Sequence, residues 1–159
     1  MGTVYISARV DYAVRALLVL AGAQEPMRGE AIAAAQDMPT KLVENTLVDL
    51  RRAGLVQSRR GNPGGYRLGR PAAEIAIADV IRALEGPLAE VHGLRPDQVS
   101  YEGPAESLRD VWVALRAGMR LVLENVTLAD VVGGELPPPG RSLLDSGDAY
   151  VPRRLGPTS

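Results

Sequence analysis

The sequence predicts a mainly α chain with one small β-hairpin. Three patterns predict it: apolar residues at helical spacing in three successive segments before residue 54, two short alternating runs around a glycine-rich loop at 55–70, and an apolar seam from Leu108 to Val126. At 159 residues the chain can hold one domain with its own core plus an appended element. It has no cysteine, which excludes disulfides, thiolate metal sites and cysteine nucleophiles.

Ser7 suits an N-cap, and Val10, Val14, Leu17, Leu18 and Ala21 after it share one face, so a first helix runs to about Gly22. A shorter second helix covers about 29–36, with Ile32 and Ala33 inward. Pro39, comfortable in a first turn, opens a third helix that reaches about Ala53 and stops at Gly54. Val43, Leu47 and Leu50 form its buried stripe, so Lys41, Asn45, Val48 and Arg52 face the opposite way with Glu44 beside them. Two helices joined by a short turn, the second with long polar side chains outward, is how a helix-turn-helix DNA reader is built. An ordinary solvated face has the same composition.

The next segment decides between those readings. LVQSRR (Leu55–Arg60) and YRLGR (Tyr66–Arg70) alternate around Gly61-Asn62-Pro63-Gly64-Gly65, the pattern of a hairpin with a five-residue loop. A Walker-type phosphate loop is excluded, because Gly65 is followed by Tyr66 and not by Lys and Ser or Thr. A hairpin directly after a helix-turn-helix is the wing of a winged helix, and Arg59, Arg60, Arg67 and Arg70 flank its glycines. The charge agrees: residues 1–71 carry 10 Lys+Arg against 6 Asp+Glu, a balance of +4, whereas 72–159 carry 8 against 13, a balance of −5. An anion-binding half is joined to a half with another task.

Ile77, Val80, Ile81 and Leu84 make a fourth helix stopped by Gly86-Pro87, and a connection follows to about Pro104. Leu108, Trp112, Leu115, Met119, Val122 and Val126 then recur at alternating four and three residues, the seam of a helix packing along another helix. A two-fold partner helix is expected there, since DNA half-sites are usually read by symmetric dimers; folding back on the same domain is the other reading. Thr127 and Asp130 are placed for a capping box that starts a last short helix ended by Gly133-Gly134. Residues 133–159 hold five Pro and five Gly without periodicity, so a disordered tail is expected. The expected organisation is thus 1–86 winged helix-turn-helix domain, 87–132 connection, long dimerisation helix and terminal helix, and 133–159 tail.

ISARVDYAVRALLVLA, LVENTLVDLRRAGLV, RRGNPGGYRLGRP, IAIADVIRALEGPL and VTLADVV, in that order over about Tyr5 to Val132, resemble the Rrf-two family of winged-helix transcription regulators, with its IscR-, NsrR- and CymR-type members. The resemblance implies a homodimeric, sequence-specific regulator, usually a repressor, whose long helix forms the dimer interface on a two-fold operator. It puts the DNA-reading residues on Lys41, Glu44 and Asn45 and the wing arginine on Arg60, the same residues the helical face and hairpin select. Glu44 can accept from a cytosine amino group, Asn45 can pair with adenine, and Arg60 suits a phosphate or a narrow minor groove. Arg52, Arg59 and Arg67 extend this surface, and Ser7 and Arg9 are further candidates for phosphate contacts.

Cluster-bearing members of the family supply three cysteines from the segment that corresponds here to about Val91–Asp110. This chain has VHGLRPDQVSYEGPAESLRD there, with His92 and no thiol, so neither an iron–sulfur cluster nor another metal or cofactor is expected. Control by a small molecule or a protein partner is expected in its place. His92, Tyr101, Arg109 and Trp112 form a candidate effector pocket for a small organic anion, unless Trp112 is simply core and the others surface. With one histidine and no cysteine, an enzyme's nucleophile–base pair would have to run through His92, and no enzyme is expected. A winged-helix module that binds only proteins is the alternative. No apolar run approaches the roughly 20 residues of a membrane span, and a cytoplasmic protein is expected.

Overall fold

The structure, a computed structural model, describes residues 5–62 and 64–152; Pro63 of the wing loop, residues 1–4 and residues 153–159 of the tail lie outside the described residues. The helices are α1 (Ala8–Gly22), α2 (Gly29–Ala35), α3 (Thr40–Arg52), α4 (Ile77–Glu85), α5 (Leu108–Leu123), α6 (Leu128–Gly133) and α7 (Gly140–Asp145), and strands β1 (Val56–Arg59) and β2 (Gly65–Leu68) lie between α3 and α4. This is the mainly α chain with one antiparallel hairpin that the periodicities predict.

Helix α1 starts where its cap says: Ser7 Oγ accepts from the Val10 N–H at 3.2 Å. Its apolar face, Val10, Ala13, Ala16, Leu17 and Leu20, is buried against α2, α3, α4 and α6. Helix α3 has no side-chain cap bond, and Val43, Leu47 and Leu50 hold it by being fully buried. Each such side chain contributes about 1.5–3 kcal/mol, well above any propensity difference, so packing fixes this helix and leaves its other face free. Arg51 and Arg52 in its last turn complement the helix dipole.

In the wing, Val56 pairs with Leu68, Gln57 with Arg67, Ser58 with Tyr66 and Arg59 with Gly65. Val56 is buried, so the alternating pleat sends Gln57, Arg59 and Arg67 to the opposite face. A third segment holds the wing down: the Met27 N–H donates to the Tyr66 carbonyl at 2.9 Å and the Tyr66 N–H to the Met27 carbonyl at 2.7 Å. Gly65 makes this approach feasible, for its φ is +130° and a Cβ there would lie 2.4 Å from the Met27 carbonyl oxygen.

Beyond α5 the chain returns to the first domain. The Ile77 N–H donates to the Val126 carbonyl at 2.9 Å and the Leu128 N–H to the Ile75 carbonyl at 3.0 Å, an extended pairing that seats α6 on α1. Thr127 Oγ1 accepts from the Asp130 N–H, and the Asp130 carboxylate accepts from the Thr127 N–H, so the expected capping box is present. Three expectations differ from the structure. Val126 was assigned to the dimer seam, but α5 ends at Leu123 and Val126 is 5 % exposed in the domain core. Residues 133–159 were expected to lack structure, but α7 forms within them, with Gly140 buried near Leu136 and Val126. Leu128, expected in the second unit, is fully buried in the core of the first.

Candidate nucleic-acid interface

Burying Val43, Leu47 and Leu50 turns Lys41, Glu44, Asn45 and Arg52 to solvent. The side chains of Lys41, Asn45, Arg59 and Arg60 make no hydrogen bond or ion pair with any described residue. Arg52 has only a loose ion pair with Asp49, at 3.6 Å, and its side chain is 74 % exposed. Unpaired side chains on this helix and hairpin leave their donors open to solvent or to a partner.

Helix and wing meet at the start of α2. The Glu44 Cγ lies 3.0 Å from where a Cβ on Gly29 would stand. Gly29 also helps line a concavity of about 350 Å³ with Arg59, Arg60, Gly61 and Gly64 of the wing. Glu44 on α3 and the arginines of the wing therefore border Gly29 together, whereas Asn45 lines a separate hollow with Ala8, Arg9, Tyr12, Leu42 and Thr46. On the outer face of the hairpin, Arg67 donates to Gln57 Oε1 from Nε at 3.2 Å and from Nη2 at 3.0 Å. Arg59, Arg67 and Arg70 border a cleft of about 580 Å³ that runs to the end of α1.

Ser7 and Arg9, the further candidates for phosphate contacts, have partners within the chain. The Ser7 hydroxyl donates to the Glu85 carboxylate while capping α1. Arg9 donates from Nη2 to Asp49 Oδ2 at 2.6 Å and from Nη1 to the Leu84 carbonyl at 2.9 Å, so it ties α1 to α3 and α4. Both side chains tie α1 to its neighbours, and the Arg9 charge is paired with Asp49 although its side chain stays 47 % exposed.

The expected effector residues come together only in part. Trp112 Nε1 donates to the Tyr101 hydroxyl at 3.2 Å. Trp112 and His92 line an apolar hollow of about 340 Å³ with Pro96 and Leu115, while Tyr101 and Arg109 do not line it. Of the expected seam, Leu115 is exposed, whereas Leu108, Trp112, Met119 and Val122 are half-buried by the chain itself. Val111 and Leu121, which the sequence reading passed over, are 55 % and 51 % exposed.

A family model described as Rrf2, Iron-dependent Transcriptional regulator, matches residues 6–134, from the entrance of α1 past the end of α6. The chain belongs to the Rrf2 family. It is 46 % identical over 153 residues to a Mycobacterium tuberculosis protein whose name describes an HTH-type transcriptional regulator, with 95 % of each chain covered. Among solved structures it resembles CymR, the global cysteine regulator of B. subtilis, with a TM-score of 0.70 and 32 % identity over 82 % of this chain and 97 % of that one. It also resembles T. potens IscR, with a TM-score of 0.65 and 28 % identity over 94 % and 93 % of the two chains. This Rrf2 chain has the fold and family of a DNA-binding transcription regulator.

The iron named in the family's description does not fit the residues of this Rrf2 protein. There is no thiolate to hold a cluster. Among the described residues no three His, Cys, Asp or Glu side chains converge in a way that could hold a metal. His92 is exposed in a turn with φ +51°, and Asp97, close to it in sequence, is engaged by Arg95 and Arg116.

Proposed function

We propose that this protein is a homodimeric, sequence-specific DNA-binding repressor that works without an iron–sulfur cluster and is controlled by a small molecule or a protein partner. Lys41, Glu44 and Asn45 read base edges in the major groove, and Arg59 and Arg60 of the wing hold the adjacent backbone. The observation that carries the dimer is α5, a sixteen-residue helix with no buried residue in its own chain. Its outward face, Val111, Ala114, Leu115, Gly118 and Leu121, follows the i, i+3, i+4, i+7 rule of an amphipathic stripe.

Gly118 supports the same reading. A glycine in mid-helix costs about 1 kcal/mol relative to alanine. A Cβ at Gly118 would meet nothing within 4 Å, so this chain's own packing does not require it. A second copy of α5 passing close to the backbone does. The test is molar mass in solution: the wild type is expected to be a dimer and Leu115→Glu a monomer with unchanged helix content. A monomeric wild type that still binds a specific duplex overturns the dimer, and a dimer that binds no DNA returns the fold to the protein-only reading.

A further inference from the structure

Four arginines from separate parts of the chain converge on one cleft of about 310 Å³ between α4 and α5: Arg82 on α4, Arg95 in the connection, and Arg116 and Arg120 one turn apart on α5. Two carboxylates stand among them. Asp97 accepts from Arg95 and from Arg116, the latter at 2.7 Å, and Glu124 accepts from Arg82 and from Arg120, the latter at 3.0 Å. Four positive charges less two negative ones leave +2 in a half of the chain whose balance is −5. The hydrogen bonds to Arg95 and to Arg82 hold the Asp97 and Glu124 carboxyls below their usual range, so both carboxylates stay ionised at neutral pH.

The cations are not saturated by their partners. A guanidinium has five N–H donors. Arg82, Arg116 and Arg120 each make one hydrogen bond, and Arg95 makes two through its side chain. Pro87, Leu88 and Ala89 supply an apolar wall. A water molecule takes about 30 Å³ of liquid volume, so the cleft has room for a body of roughly ten non-hydrogen atoms. Planar forks of donors match carboxylate and phosphate oxygens two by two.

We propose that the cleft between α4 and α5 binds a small doubly charged oxyanion, a phosphomonoester or a dicarboxylate, through Arg82, Arg95, Arg116 and Arg120. It is distinct from the hollow under Trp112, whose lining is apolar. Such an anion joins α4, which belongs to the DNA-reading domain, to α5, and so sets the angle between the two. This last step rests on the proposed function; the binding site itself does not.

The test is thermal unfolding of the full chain, without DNA, in inorganic phosphate, in succinate and in chloride at matched ionic strength. A ligand at a hundred times its dissociation constant is expected to raise Tm by about 5 °C or more for a chain of this size. The greater response separates a phosphate site from a dicarboxylate site. Arg120→Gln and Arg116→Gln are expected to abolish the shift, and Arg141→Gln, on α7 outside the cleft, to keep it. Arg120, 51 % exposed, gives the answer even where the half-buried Arg116 does not tolerate replacement. No shift beyond chloride, or equal loss in Arg141→Gln, overturns the site. DNA affinity is then measured at saturating anion. Anion binding with unchanged DNA affinity overturns the coupling and leaves the site standing, whereas a protein that binds the anion and no DNA refutes the DNA reading alone.

Discussion

Replacing Arg9 by Ala separates a strut from a DNA contact. In the structure Arg9 makes two charge-assisted bonds, 2.6 Å to Asp49 and 2.9 Å to the Leu84 carbonyl, and its side chain is 47 % exposed while that of Asp49 is 31 % exposed. Half-exposed ion pairs contribute about 0.2–1 kcal/mol. The carbonyl bond adds about 1 kcal/mol once solvent competition is allowed for. The expected loss is about 1–2 kcal/mol, a fall in Tm of roughly 3–8 °C for a chain of this length. Because the Asp49 carboxylate already neutralises the Arg9 guanidinium, the salt dependence of DNA binding should not change. A cation that contacts phosphate contributes about 0.9 to the slope of log K against log salt, or about 2 for the two copies in a dimer. Differential scanning calorimetry and binding titrations from 50 to 200 mM salt read both quantities. An unaltered Tm with a slope reduced by about 2 would refute the strut.

The other predictions use the same two kinds of measurement. Arg60→Ala, whose side chain has no partner among the described residues, should leave Tm unchanged and lower the salt slope by about 2 per dimer. Glu44→Ala should relax the selected sequence while nonspecific affinity stays equal or tightens, because a carboxylate facing phosphates is useful only for discriminating bases; an identical motif from wild type and variant counts against it. Gly65→Ala, forced to φ +130° with its Cβ 2.4 Å from the Met27 carbonyl, should cost about 2 kcal/mol or more and speed hydrogen exchange of the Tyr66 amide. Asp97→Asn should lower Tm at pH 7. Its carboxyl is depressed in the folded chain, so its stabilisation is fully present above the unfolded value near 3.9 and is lost as pH falls through the folded one; the difference from wild type should begin to narrow below about pH 4 and close only as pH reaches the depressed folded value.

Local signals were legible where one short stretch decides the outcome. The Ser7 cap, the Thr127–Asp130 box, the stop at Gly134 with φ +77° and the alternating strands of the wing all appear as the sequence implies. What the local signals do not show depends on partners distant in sequence. Nothing near Ser7 or Arg9 in the chain announces their intramolecular partners Asp49, Leu84 and Glu85. The four-three spacing ran on to Val126 although the helix stops at Leu123, and the residues after it serve the pairing with Ile75 and Ile77. The outward stripe of α5 is rotated from the expected seam because the connection packs under Trp112 and claims part of that face. The bridge from Met27 to Tyr66 and the four-arginine cleft join positions tens of residues apart, and no periodicity marks either of them.

Selection of bound duplexes from a random DNA library, followed by sequencing, tests the central claim most directly. The account predicts a two-fold motif whose half-sites lie about one helical turn apart, with enrichment that falls away when Lys41 and Asn45 are both changed to Ala and is retained in Arg109→Gln. No enriched motif from the wild type, or the same motif from the Lys41 and Asn45 double variant, would contradict it.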